Sequence, residues 1–570
     1  MKEFSFVLFS LLLCLYYSSR AQIKSQIPTG INLDDKIRFL MQEADIPGLS
    51  IAIINNGRLS FSKGYGWSNT ETKDPVNDNT VFEAASLGKP LFAYLVLKLA
   101  DKGIIGLDTP LSHYIGDGFD IEKRKLAERI TARMVLSHTT GLPNAASGNK
   151  PLVFAFNPGE KFSYSGEAIR LLQQVIEQVT KTELEKLMVA YVFSPLNMNK
   201  TSFIWQTEYN SLKAFSHNEL LEVAGRGKPL EANAANTLHT TASDYAKFLI
   251  AVLKGEGLKK NTFREMVKSQ VPIDSICVIC LNPAQVPHLS PHLAWGLGWG
   301  IEKEKGGSWI WHWGDNVTYQ GFAMGNLKSK DAIVYFANST NGLSIAEELL
   351  NSTLGIPTYA IKWLGYEPYN TPVKKQLKEI INNKDKATET LKQESIKDEL
   401  TSSQFNWIGQ QLLNRRMSRE AISIFSLSLA KDSTSLPAQL GLGEAYLKNK
   451  NKALALKHLK KALTLSPQNN KLERKIKLLE KPEVVIDATL LKSYVGKYKS
   501  VIGELTITKE EEMLFAQLEG NPKEELIPET KTMFISADAG VQLQFYQKTA
   551  NITQIEITAG TQKFLANKIE

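Results

Sequence analysis

Apolar positions along this chain change period several times, and each change marks a different kind of element. Residues 48–55 and 58–66 are apolar-rich runs separated by Asn56-Gly57, a pair that tolerates the left-handed backbone of a tight hairpin. They predict two strands joined by a two-residue turn. Leu91-Phe92-Ala93-Tyr94-Leu95-Val96-Leu97 is apolar on every side and predicts a helix buried in a large domain. Strand-like stretches return at 308–313, 319–327 and 331–338, before a helix near 345–354. Sheet at both ends with helices between predicts one sheet assembled from distant parts of the chain, an α/β plus α domain over residues 22–365.

Beyond that the pattern shifts. Residues 366–400, rich in Lys, Glu and Asn, read as a linker with a polar helix. Over 401–481, Gly409 and Gly443, Leu412 and Tyr446, Ala421 and Ala455, Phe425 and Leu459, Ser428 and Ala462, and Ser433 and Pro467 are each 34 residues apart (443 − 409 = 34). That is the tetratricopeptide period, with small residues where paired helices approach. Two such repeats fall short of the three or so that stand alone, so this module is expected to dock on a neighbouring domain, as a groove for a protein partner or as a spacer. Residues 482–570 alternate as strands do: Leu505 and Ile507 flank Thr506, and Val541, Leu543 and Phe545 alternate with Gln542 and Gln544. They predict a small antiparallel barrel or sandwich.

With 570 residues, 43% hydrophobic and 22% charged, the chain has ample material for several cores. The net charge of +8 is spread along the chain, which argues against nucleic acid as the main partner. Lys2, the apolar stretch 4–17 and Ser19-Arg20-Ala21 read as a secretory signal over residues 1–21, cleaved before Gln22. This predicts export to the periplasm or beyond, with no stable membrane insertion once the signal is removed.

Candidate chemistry centres on Glu83-Ala84-Ala85-Ser86-Leu87-Gly88-Lys89-Pro90. An amine three residues after a serine lies one helical turn on, close enough to share the hydroxyl proton. Pro90 is tolerated only near a first turn, so Ser86 is expected at or just before the helix start, where free backbone N–H groups can stabilise an oxyanion. Three other Ser-x-x-Lys matches fail on context. Ser60 and Lys63 lie in a strand, Ser147 and Lys150 in a loop, and Ser428 at an internal packing position of the repeat. Cys277 and Cys280, followed by His288 and His292, imitate a two-cysteine, two-histidine zinc site. The gap between the pairs is shorter than in zinc fingers, and an exported chain meets oxidants, so a disulfide or inert thiols are favoured over zinc.

Ser86-Leu87-Gly88-Lys89, Tyr164-Ser165-Gly166 and His312-Trp313-Gly314 resemble the three motifs of the class C β-lactamase-like serine hydrolases, relatives of the penicillin-binding proteins that include DD-peptidases, D-aminopeptidases and esterases. Leu136-Ser137-His138-Thr139-Thr140-Gly141-Leu142-Pro143, Asn157-Pro158-Gly159-Glu160-Lys161-Phe162 and Gly296-Leu297-Gly298-Trp299 also look like family signatures, and Tyr494-Val495-Gly496-Lys497-Tyr498 is similar to a β domain common among these hydrolases. The resemblance implies a β-lactamase/transpeptidase-like domain with an antiparallel sheet, and an acyl-enzyme reaction with no cofactor and no metal. It also implies roles. Ser86 attacks a carbonyl, Lys89 and Tyr164 manage its proton, and His312 supplies a donor beside substrate and tyrosine. The backbone N–H groups of Ser86 and Asp315 form the oxyanion hole, with Gly314 and Gly166 next to the substrate. An adjacent ammonium is expected to favour a Tyr164 phenolate. His138 is assigned to a structural turn.

Two departures bear on substrate. Gly166 stands where the family usually has asparagine. His312 and Trp313 replace a lysine and a small hydroxyl residue, which weakens carboxylate recognition. The reading is an exported serine hydrolase, esterase or peptidase-like, that acts through an acyl-enzyme on less anionic esters or amides. The rival, kept open by Gly166 and Trp313, is a catalytically silent penicillin-binding-protein-like receptor that binds peptides or partners through its repeats.

Overall fold

The first apolar run, Gly48–Asn55, is buried along most of its length because it sits inside a nine-stranded sheet with neighbours on both edges. The computed structural model describes residues 32–569 apart from 116–120, 122–123, 146–150, 219–220, 226, 274–277, 279–291, 305, 357, 384–399, 483, 511–512, 519–522, 537–539, 549–550 and 561. The chain divides into two compact units, one ending at Thr371 and the other beginning at Pro372.

In the first unit the strand order is Asp74–Pro75, Arg58–Asn69, Gly48–Asn55, Ala332–Ala337, Gln320–Asn326, Gly307–Asp315, Gly300–Glu304, Leu293–Trp295 and Val271–Pro272. Every neighbouring pair is antiparallel. Asn56 and Gly57 take φ of 49° and 68°, the left-handed pair that the hairpin demanded. Ile51 opposite Tyr335 fixes the register that joins the chain's early and late halves. Because strand side chains alternate between faces, the sheet feeds two cores. Ala52, Ile54, Ile310, Val334 and Phe336 pack with the helices Gly88–Asp101, Gly166–Thr180 and Ala242–Lys254. Leu49, Ile51, Ile53, Trp311, Ile333 and Tyr335 pack with Leu33–Glu43 and Ala346–Leu354.

The stretch read as linker contributes to both units. Tyr369 is buried in the first unit's core, while Val373, Leu377 and Ile380 of helix Pro372–Asn382 are buried in the second. Four helices follow, Ser402–Asn414, Ser418–Lys431, Leu436–Lys448 and Lys452–Leu465, and their starts repeat at 34 residues (436 − 402 and 452 − 418). The same contact also recurs at that spacing. A Cβ on Gly409 would lie 2.7 Å from the Phe425 ring, and one on Gly443 would lie 2.4 Å from the Leu459 side chain. Ser428 is buried and donates to the Ser402 carbonyl at 3.1 Å, a packing role.

Residues 496–568 close into a barrel of eight antiparallel strands, in which Tyr498 pairs with Lys568 across the seam. Leu505, Ile507, Leu543 and Phe545 fill its interior, as their alternation required. Tyr494 ends the short helix Ala488–Tyr494, packs on Phe534 and Phe545, and accepts on its carbonyl the Tyr498 hydroxyl at 2.7 Å.

The Phe425 ring is wedged between two glycines, since a Cβ on Gly441 would meet it at 2.3 Å while Gly409 backs its other contacts. Gly441→Ala gains about 1 kcal/mol of helix propensity but incurs overpacking of about 1–3 kcal/mol. The full chain is therefore expected to show a lower thermal midpoint; an unchanged or higher one would mean that Phe425 moves aside.

Candidate active site

Ser86 stands between the strand Phe82–Ala85 and the helix Gly88–Asp101, where Pro90 required the first turn to be. Ala85 takes φ of 49°, a left-handed conformation that costs a residue with a Cβ about 1–2 kcal/mol. This kink turns the chain out of the strand and leaves Ser86 half-buried rather than sealed. The Ser86 N–H makes no hydrogen bond to a described residue. Gly314, near the end of strand Gly307–Asp315, packs on the same kink. A Cβ there would lie 2.2 Å from the Ala84 carbonyl oxygen, so a larger residue would push this strand away from the serine.

Lys89 Nζ lies 2.8 Å from Ser86 Oγ and 2.7 Å from the Ala235 carbonyl oxygen. Only 2% of Lys89 is exposed, and burial pushes its amine down to about 7. Near neutral pH a substantial fraction of the amine is thus uncharged, with a lone pair for the serine proton and an N–H for Ala235.

Tyr164 is 3% exposed, and its ring centroid lies 4.9 Å from the Lys89 amine. Its hydroxyl is near enough to Ser86 for the serine to favour the ionised form, yet completes no well-formed hydrogen bond with a described residue. Burial outweighs that influence and raises the phenol well above its usual value. The phenolate expected from an adjacent ammonium is therefore corrected: burial disfavours charge on both groups, leaving a neutral phenol beside an amine that readily loses its proton.

His312 is also corrected. It is fully buried, and its Nδ1 lies 2.7 Å from the Trp313 carbonyl oxygen, which can only accept, so Nδ1 carries the proton. Burial, aided by the positive charge of Lys89, pushes the ring down to about 3. His312 is neutral, and its unpartnered Nε2 is an acceptor rather than the donor expected from the motif. The rings of His312 and Trp313 stack at 5.1 Å, and Trp313 lies 4.8 Å from Tyr164.

His138 occupies its structural turn at φ 55°, with Nδ1 accepting the Ser165 N–H at 3.2 Å and the ring 4.3 Å from Tyr164. Gly166 opens the helix Gly166–Thr180 and donates its N–H to Asn144 Oδ1 at 2.9 Å. A Cβ at Gly166 would meet the Asn144 carbonyl oxygen at 2.6 Å, which is why no asparagine fits there without backbone movement. The Asp315 carboxylate accepts from the Val317 N–H at 2.8 Å and from the Tyr366 hydroxyl at 2.6 Å.

The sequence reading did not single out Ala85, Ala235, Asn316 or Tyr366. Nothing in a lone sequence marks an alanine carbonyl as an amine acceptor. The other matches stay apart: Ser60 donates to the Ile53 carbonyl at 3.0 Å, and Lys63 pairs with Asp34 at 2.9 Å. Cys277, Cys280, His288, Ser147 and Lys150 lie outside the described residues, as does the 1–21 segment. His292 contacts the Lys303 carbonyl oxygen through Nδ1 at 2.9 Å and stacks on Tyr359 at 4.5 Å. Among the described residues no group of three or more His, Cys, Asp or Glu is placed to hold a metal, and no helix is long and apolar enough to cross a membrane.

A serine hydroxyl, an amine and a phenol gathered beside an antiparallel sheet define the serine hydrolases of the β-lactamase and penicillin-binding-protein type. Residues 33–351 match the Beta-lactamase family model, and the chain belongs to that family. It is 31% identical over 196 residues to Protein flp of Staphylococcus aureus (strain NCTC 8325 / PS 47), covering 31% of this chain and 39% of that protein. It is 30% identical over 185 residues to a Beta-lactamase of Pseudomonas fluorescens, covering 30% of this chain and 49% of that protein. The chain thus spans less than half the length of these curated relatives. Among solved structures, a class C β-lactamase aligns with 56% of this chain and 96% of its own at 20% identity and a TM-score of 0.47. The octameric penicillin-binding protein homologue from Pyrococcus abyssi aligns with 94% of this chain and 99% of its own at 17% identity and a TM-score of 0.46.

An amine held near 7 accepts a proton only in its neutral form, which grows as pH rises through that value. The rate at which an active-site-directed fluorophosphonate labels the protein is accordingly expected to rise through about pH 7 and then level off. Lys89→Arg, charged at every accessible pH, is expected to lower that rate by about 10²–10⁴ and to abolish the rise. A profile flat between pH 5 and pH 9 in the wild-type protein would refute Lys89 as the base.

Proposed function

We propose that this protein is an exported serine hydrolase that cleaves an ester or amide through an acyl-enzyme. The observation that carries this reading is the 2.8 Å contact between Ser86 Oγ and the buried Lys89 amine. Ser86 attacks the substrate carbonyl as its proton passes to neutral Lys89. The carbonyl oxygen, now negative, is held by the backbone N–H groups of Ser86 and Asp315. As the tetrahedral intermediate collapses, Tyr164 passes its phenolic proton to the leaving group and takes back the proton that Lys89 accepted from Ser86, which restores both the phenol and the neutral amine. Water then hydrolyses the ester on Ser86, with Lys89 again as base.

The substrate is assigned to neutral or weakly anionic esters and amides. A substrate carboxylate calls for a cation or a hydroxyl at the third motif. His312 is neutral there, Trp313 has no hydroxyl, and the nearby Asp315 contributes a carboxylate. Export rests on the signal-like segment at residues 1–21. The 34-residue recurrence of the Gly409–Phe425 contact at Gly443–Leu459 supports reading residues 401–481 as tetratricopeptide-like repeats, a partner groove or an interdomain spacer.

Intact-mass analysis after fluorophosphonate treatment is expected to show one adduct on the wild type and none on Ser86→Ala. A wild type left unlabelled under conditions that label a control hydrolase would favour the silent receptor. Given labelling, p-nitrophenyl esters and D-amino-acid amides are expected to turn over faster than a chromogenic cephalosporin, and the reverse order would overturn the substrate assignment.

A further inference from the structure

Three segments of the site meet at one side chain that none of the motifs contains. Asn316 follows Asp315 in the chain, and its Nδ2 donates to Glu83 Oε1 and, at 3.3 Å, to the Asn236 carbonyl oxygen. Glu83 lies in the strand Phe82–Ala85 that delivers Ser86. Asn236 follows Ala235, whose carbonyl anchors the Lys89 amine at 2.7 Å. A single carboxamide therefore ties together the segment bearing the nucleophile, the segment anchoring the base, and the turn bearing the Asp315 N–H.

The acceptor that orients this amide is itself held firmly. Glu83 Oε2 pairs at 3.2 Å with Lys213, whose side chain is fully buried and also donates to the Gly227 carbonyl oxygen at 3.2 Å. The Lys213 amine faces the Tyr319 ring at 5.0 Å, so the residue that leads into strand Gln320–Asn326 packs on the same side chain. The turn needs such ties. Val317 is β-branched yet takes φ of 63°, a conformation that persists only when its surroundings impose it. Tyr366 holds the Asp315 carboxylate on one side of the turn, and Asn316 holds the other.

We propose that Asn316, oriented by Glu83 and its buried partner Lys213, is a positioning residue that sets the distance between the Ser86 and Asp315 N–H groups, an inference that rests on the acyl-serine reading above. Oxyanion stabilisation depends on donors placed to within a fraction of an ångström, and a misplacement of about 1 Å costs about 10²-fold in rate. Asn316 acts on the transition state through two backbone segments and touches no substrate atom.

The test uses the full chain with Asn316→Ala, which cuts the tie without leaving a buried charge unpaired, and Asn316→Asp, which sets a carboxylate against Glu83. Fluorophosphonate labelling and kcat for a p-nitrophenyl ester are expected to fall about tenfold to a hundredfold in Asn316→Ala, and further in Asn316→Asp. KM is expected to stay within about twofold, while affinity for phenylboronic acid, which becomes tetrahedral on a nucleophilic serine, falls about tenfold. Unaltered labelling and boronate affinity in Asn316→Ala would overturn the inference alone. So would a raised KM with kcat unchanged. An unlabelled wild type would instead sink the acyl-serine reading and carry this inference down with it.

Discussion

Burial of the Lys89 amine against Ser86 is the constraint on which the rest of the site depends. Removing an ammonium from water disfavours its charge, and here that penalty brings the amine down to about 7. The same apolar surroundings keep Tyr164 a phenol and His312 a neutral imidazole. A site composed of a lysine, a tyrosine and two histidines thus carries little fixed charge, and its proton affinities are set chiefly by how completely the sheet and helices exclude water. The carbonyl of Ala235 gives the amine a partner that does not compete for the serine proton.

Delivering Ser86 to that amine takes two backbone features of opposite kind. Ala85 is forced into a left-handed conformation at the end of its strand, while Gly314 is kept small so that a neighbouring strand can approach the Ala84 carbonyl. Strain on one side and the absence of a side chain on the other bring the strand that ends at Asp315 against the turn that carries Ser86. Glu302 supports the same face from further away. Its buried carboxylate accepts from Thr358 Oγ1 and from the N–H groups of Tyr359 and Ala360, fixing the start of the helix Tyr359–Leu364, after which Tyr366 reaches Asp315.

The second unit is built by different rules. Its helices approach through glycines that admit Phe425 and Leu459, and its barrel is filled by side chains that alternate along each strand. Both patterns depend on local spacing, so both were legible: a 34-residue recurrence in one case and a period of two in the other. The stretch 366–400 was less legible because its apolar positions are sparse. Tyr369 turned out to close one core, and Val373, Leu377 and Ile380 to extend another.

Within the first unit, the sequence alone determined which residues were candidates and where their elements began. Pro90 set the helix start, Asn56-Gly57 set the hairpin, and Ser86 with Lys89 lay one turn apart, all consequences of backbone geometry over a few residues. Charge states and long-range partners were decided only by the tertiary structure. Whether Lys89 is an ammonium or an amine, whether His312 donates or accepts, and what Asn316 ties together depend on burial and on segments up to 233 residues apart in the chain. Solvent exclusion and distant hydrogen-bond partners come from the packed whole, and no local pattern of side chains encodes them.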